Sequence, residues 1–191
     1  MQQENIKKIT EEVILLYKQY GNKDYIGEDV SQIEHMCQSA ELAEKEGYDE
    51  EVILAAFFHD IGHLCEHIMD TKQMDGYGVV DHEKMGADFL RNKGFSETIA
   101  SLVENHVQAK RYLTYRYLEY YDQLSPASKK TLEFQGGVMT TAEAETFEAD
   151  PLFALHIQVR RWDEAAKVTA QPLPSLEKYR AMMQHHLEAQ I

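Results

Sequence analysis

The stretch that decides the fold is EEVILAAFFHDIGHL, residues 50–64. Its apolar residues lie on nearly every face of a helix, which marks a helix buried in the middle of a domain. His59, Asp60 and His63 sit inside it. Residues four apart share a face of a continuous helix, so His59 and His63 are expected to point the same way, with Asp60 beside His59. An unpaired carboxylate at that depth is costly, so Asp60 needs a cation or strong donors. A metal ion is one such cation.

On the N-terminal side, Ile6, Ile9, Val13, Leu16 and Tyr20 repeat at helical spacing over residues 4–20, and Gly21 ends the run. A second helix is expected over 30–46, stopped by Gly47, after which Asp49 caps the deciding helix. On the C-terminal side, MDGYG marks a loop within 65–79, and a helix over 81–93 closes at Gly94. Ser96 and Glu97 open a long helix through ETIASLVENHVQAKRYL, which TYRYLEYYDQL continues to Leu124. Ser125 before Pro126 starts another, broken by QGG at 135–137, and helices over 142–149, 151–167 and 176–190 complete the chain. No run alternates at period two. The expectation is an all-α fold, a single domain over residues 1–191 with roughly seven to nine bundled helices.

Composition narrows the function. Hydrophobic residues make up 43% and charged residues 27% of the 191, the balance of a globular chain with a core of its own. The net charge of −14 repels nucleic acid and anionic membranes, though a small anion can still bind locally. The opening MQQENIKKIT lacks the apolar run of a signal peptide, and no segment approaches the roughly 20 apolar residues of a membrane span, so the chain is expected in the cytoplasm. Cys37 and Cys65 fall in no CxxC pattern and read as reduced, half-buried hydrophobes.

Three more histidines lie in expected helices: His35 in QIEHMC, His82 in VDHEKMG and His106 in VENHVQAK. One histidine in such a place is more often a core or surface residue than a ligand; a set of them around an HD pair reads differently. Asp163 in RRWDEAAK, taken alone, reads as a surface carboxylate. Lys110 follows His106 by four residues and Arg160 precedes Asp163 by three, so each shares a helix face with a candidate ligand. Imidazole and carboxylate donors without thiolates suit iron.

His35, then His59 and Asp60, then Asp163 reproduce the H…HD…D pattern of the HD-domain superfamily, an all-α metal-binding fold that this chain resembles. The likeness narrows to organophosphonate oxygenases of the PhnZ and TmpB type, related to myo-inositol oxygenase. It is carried by DYIGE (24–28), HDIGH (59–63), GYGV (76–79), HEKMGADFLR (82–91), HVQAKRYL (106–113), KTLEFQGG (130–137) and RRWDE (160–164). The resemblance implies two iron ions, mixed-valent Fe(II)/Fe(III). His35, His59 and Asp163 would hold one, His82 and His106 the other, and Asp60 would bridge them.

It further implies O2-dependent oxidative cleavage of the carbon–phosphorus bond in a small-molecule organophosphonate of the 1-hydroxy-2-aminoethylphosphonate type. The products are phosphate and glycine, or glycine betaine from the 2-trimethylammonio substrate. Lys110, Ser128, Thr131, Arg160 and His63 would contact the phosphonate and hydroxyl end, Tyr25 would stand near the O2-binding metal, and Glu28 would face the amine. Tyr25, His63 and Lys110 are the catalytic candidates. Two other readings stay open: a metal-dependent HD phosphohydrolase of nucleotides or phosphate esters, and an idle HD module that binds partners. Glu28 separates the first from the oxygenase, because a second negative group would repel a phosphate ester. The oligomeric state is open.

Overall fold

The structure is a computed structural model that describes residues 3–25 and 27–191. Among them the chain is all-α, with eleven helices. These are α1 (Gln3–Tyr20), α2 (Gln32–Lys45), α3 (Glu50–Phe58), α4 (Ile61–Cys65), α5 (His82–Lys93), α6 (Glu97–Arg116), α7 (Leu118–Gln123), α8 (Pro126–Phe134), α9 (Thr141–Glu148), α10 (Phe153–Ala165) and α11 (Leu176–Ala189).

The helix starts follow cap chemistry. Asp49, Ser96 and Ser125 each accept a backbone N–H three residues on, from Val52, Ile99 and Ser128. Ser31 and Glu34 form a reciprocal capping box at α2. Between them these caps satisfy N–H groups that a helix start leaves without partners.

The apolar α3 runs through the middle of the core, packed by α2, α6, α10 and α11. Its Phe57 ring lies between two tyrosines, 4.3 Å from Tyr17 and 4.1 Å from Tyr179, with all three rings nearly parallel. Stacked pairs of this kind contribute about 0.5–1.5 kcal/mol each beyond burial. Around α3, α5 lies on α4 and α6, while α10 packs on α2 and α6. The centre of the molecule is therefore ringed by α2, α3, α4, α5, α6 and α10, the elements that carry the histidines and aspartates singled out above.

The structure corrects several expectations. The deciding stretch is two helices, because Asp60 leaves the helical region (φ −106°, ψ 12°) between α3 and α4. The last carbonyls of α3 would be orphaned by that break, and two are recovered: His59 Nδ1 donates to Ala56 O (2.8 Å) and the Tyr17 hydroxyl to Phe57 O (2.7 Å). His59 and His63 fall in different donor groups, His59 with His35 and Asp163, His63 with Asp60 and His82. The long helix from Glu97 likewise stops at Arg116, where Tyr117 turns extended (φ −131°, ψ 110°) before α7, and with both breaks the count rises to eleven. The helix expected over 151–167 ends at Ala165, leaving Lys167 beyond it. Cys37 and Cys65 are fully rather than half buried.

One glycine fixes how α4 meets α5. A Cβ on Gly62 would lie 1.9 Å from the His82 carbonyl oxygen, so the two backbones touch there. That contact holds the first residue of α5 over Asp60.

Candidate metal centre

Six side chains from five parts of the fold converge at the centre. α2 supplies His35, the α3–α4 junction supplies His59 and Asp60, α5 starts at His82, α6 supplies His106 and α10 supplies Asp163. All six are buried, none more than 4% exposed. Asp163 is thus no surface carboxylate; the burial of α10 against α2 and α6 carries it inward.

The carboxylate of Asp60 divides its two oxygens. Oδ2 faces His35 and His59, with Nε2 atoms 3.5 and 3.4 Å away, while Oδ1 faces His82 and His106 at 3.3 and 3.4 Å. Asp163 Oδ1 joins the first pair, 3.2 Å from His35 and 3.9 Å from His59. Two donor groups therefore meet along one carboxylate.

The donor set fits metal ions. His35, His59 and His106 commit Nδ1 to the carbonyls of Ala166, Ala56 and Val103 at 2.7–2.9 Å, so their protons sit there and their Nε2 lone pairs face inward. Nε2 of His35 and His59 then approach to 3.0 Å, and those of His82 and His106 to 3.3 Å. The lone pairs of His35 and His59 repel at this distance unless a proton or a metal ion lies between them. Asp60 Oδ2 and Asp163 Oδ1 are buried and accept no hydrogen bond from the described residues. Burial alone would raise both carboxyls, yet neighbouring His59 holds Asp60, and Arg160 holds Asp163, well below the ordinary range. Burial disfavours a charged His35, but Asp163 and Asp60 lift it to about 9. The negative field is strong enough to hold a proton where a metal would bind.

Beside the centre opens a cavity of about 120 Å³. Lys110 reaches into it from α6 and donates to Thr131 Oγ1 (2.7 Å) and Gln135 Oε1 (2.8 Å). Both partners are neutral, and no carboxylate among the described residues forms an ion pair with it. Burial and the nearby Arg160 bring Lys110 down to about 7. Arg160 pairs with Asp163 and Glu164, donates to the Tyr120 hydroxyl and reaches Ser128 Oγ at 3.3 Å. Lys110 and Arg160 are buried rather than solvated.

His63 stacks on His82 with ring centres 4.0 Å apart, and its Nδ1 accepts the Val79 N–H (3.3 Å). Burial and the His82 ring push it down to about 3, so it is neutral with its proton on Nε2. Gly78 (φ +100°) permits this contact, since a Cβ there would meet the His63 ring at 2.7 Å. Tyr25 stacks on His35 at 4.1 Å, and burial with the two aspartates keeps its phenol protonated. Glu28 also lines the cavity, but Lys167 already pairs with it at 2.6 Å.

All thirteen expected site residues thus stand at the centre or its cavity. Sequence reasoning missed Gln135, Tyr120, Glu164 and Lys167. Glu164 continues the face of Arg160 at helical spacing, a signal the sequence did carry, whereas Lys167 lies beyond the end of α10. Asp81 was missed too: its left-handed φ of +55° turns the chain into His82, and neither its side chain nor its neighbours announce it.

A helical fold closing on paired histidine and aspartate donors defines an α protein with a buried cluster that could hold metal. The HD-domain model matches residues 33–134, and the chain belongs to that family. It is 45% identical over 175 residues to an uncharacterized protein of Acanthamoeba polyphaga mimivirus, covering 92% of this chain and 80% of that one. It is 37% identical to the [1-hydroxy-2-(trimethylamino)ethyl]phosphonate dioxygenase (glycine-betaine-forming) of Leisingera caerulea, over 91% of this chain and 87% of the relative. With the hydroxymethylphosphonate dioxygenase of Gimesia maris it shares 36% identity, over 91% and 85%. The resemblance to HD-domain phosphonate oxygenases therefore extends over most of the chain. No helix among the described residues is long and apolar enough to cross a membrane.

Proposed function

We propose that this chain is an oxygen-dependent organophosphonate oxygenase that cleaves the carbon–phosphorus bond of a small 1-hydroxyphosphonate. One O2 per bond balances the reaction: the hydroxylated carbon leaves as a carboxylic acid and the phosphorus as inorganic phosphate. The observation that carries this reading is the division of Asp60, one oxygen toward His35 and His59 and the other toward His82 and His106. It supports two cations side by side, with Asp163 completing the first group. When bound, a mixed-valent Fe(II)/Fe(III) pair supplies the redox chemistry for O2.

The chain's own residues bind and orient. Lys110, Thr131, Ser128 and Arg160 offer N–H and O–H donors to a phosphonate dianion, and the anion draws Lys110 back to its charged form. His63 offers its Nε2–H to the 1-hydroxyl oxygen. Tyr25, stacked on His35, shields that side of the centre from water.

The finer substrate choice turns on Glu28. A 2-amino or 2-trimethylammonio group, giving glycine or glycine betaine, needs that carboxylate, and Lys167 occupies it. The two named relatives differ at this end, one substrate name carrying a trimethylamino group and the other none. With Glu28 neutralised, charge no longer separates an oxygenase from an HD phosphohydrolase. The relatives named as dioxygenases favour the oxygenase. Iron analysis with electron paramagnetic resonance tests it: two irons per chain and a coupled Fe(II)/Fe(III) signal are expected. A redox-inert metal with rapid turnover of nucleotide monophosphates would support the hydrolase instead.

A further inference from the structure

Lys167 is a built feature of the cavity mouth. Its backbone is pinned on both sides by buried side chains from α2. The preceding carbonyl, of Ala166, accepts His35 Nδ1–H at 2.9 Å. The following residue, Val168, exchanges both backbone groups with the amide of Gln38, at 3.0 and 2.8 Å. From that rim the lysine sends its ammonium to Glu28, and the two side chains are only 22% and 16% exposed. Its Nζ lies 5.8 Å from the centre of the Tyr25 ring. A carboxylate beside an aromatic ring is the environment that holds a substrate ammonium. Here the protein's own ammonium stands in it.

We propose that Lys167 is a specificity-determining residue that fills the cation subsite of this cavity. The chain therefore selects small 1-hydroxyphosphonates with an uncharged far end over those ending in an ammonium or trimethylammonium group. The proposal rests on the oxygenase reading for its substrate class. A cationic substrate must either take Glu28 from Lys167, leaving the lysine half-buried without a partner, or stand unpaired beside a like charge. Such a contact lowers affinity by about tenfold or more. An uncharged end meets no opposition, and the Glu28–Lys167 pair closes behind it.

The test uses the iron-loaded full chain as wild type, Lys167→Gln and Lys167→Arg. Calorimetry compares binding of ethylphosphonate with 2-aminoethylphosphonate. Phosphate release compares kcat/KM for hydroxymethylphosphonate with 1-hydroxy-2-aminoethylphosphonate. The wild type is expected to favour the uncharged member of each pair by about tenfold, Lys167→Gln to shift both ratios about tenfold toward the amine, and Lys167→Arg to keep the wild-type ratios. Equal or amine-favouring ratios in the wild type, ratios unmoved in Lys167→Gln, or no binding of either phosphonate would overturn it. Discriminating binding without O2-dependent phosphate release would uphold the role of Lys167 and remove the oxygenase reading. Turnover of both substrates without discrimination would do the reverse.

Discussion

The Nε2 atoms of His35 and His59 lie 3.0 Å apart, each on a ring whose Nδ1 is bound to a backbone carbonyl. A proton or a metal ion relieves that contact, and a metal ion there ties α2 to the end of α3. A ligand at 100-fold excess over its Kd stabilises by about 2.7 kcal/mol, which for a chain of this size is a Tm shift of about 5–10 °C. Stripping the metal with a chelator should lower Tm by that amount and adding iron back should restore it. An unchanged melting curve would mean the rings are held by something else.

Asp60→Asn keeps the shape of the bridge and removes its charge. The variant should hold fewer than two irons per chain, because one amide oxygen cannot serve both histidine pairs. A full complement of iron, measured by elemental analysis, would take Asp60 out of the bridging position.

Lys110 gives the phosphonate site a pH dependence. Its pKa is brought down to about 7, and only the ammonium pairs with an anion, so affinity is present below that value and weakens as pH rises through it. Bound anion moves the midpoint upward. In Lys110→Arg the cation persists at all these pH values, so KM should stay flat between about pH 7 and 9 while the wild-type KM climbs. Parallel profiles for the two proteins would assign the pH dependence to another group.

Gly62→Ala places a methyl group where the His82 carbonyl oxygen already sits, at 1.9 Å. α5 must move, and forced overpacking of this kind costs about 1–3 kcal/mol. A lower urea midpoint together with loss of iron is expected; wild-type values for both would show that α4 and α5 do not set the position of His82.

Much of this was legible in the sequence. The caps at Asp49, Ser96 and Ser125, and the periodicity between them, gave the helices. The HD pair with His35, His82 and His106 stood out as candidate ligands, whereas Asp163, which alone reads as a surface carboxylate, was picked out only by the family resemblance. The break at Asp60 was hidden because a helix that is apolar on nearly every face shows no change of period at a break. Side chains take up the carbonyls the break frees: His59, three residues on, takes that of Ala56, and Tyr17 from α1 takes that of Phe57, a contact only the fold supplies. The role of Lys167 was hidden for a similar reason: its partner Glu28 lies 139 residues away, and only the fold brings them together.

An oxygenase must consume O2 as it releases phosphate. The direct measurement follows inorganic phosphate from a 1-hydroxyphosphonate with and without air, and the mass of the carboxylic acid formed under 18O2. Release should stop under strict anaerobiosis, one O2 should disappear per phosphate in air, and the acid should carry 18O. Phosphate appearing at an unchanged rate without oxygen, with label arriving only from water, would contradict it.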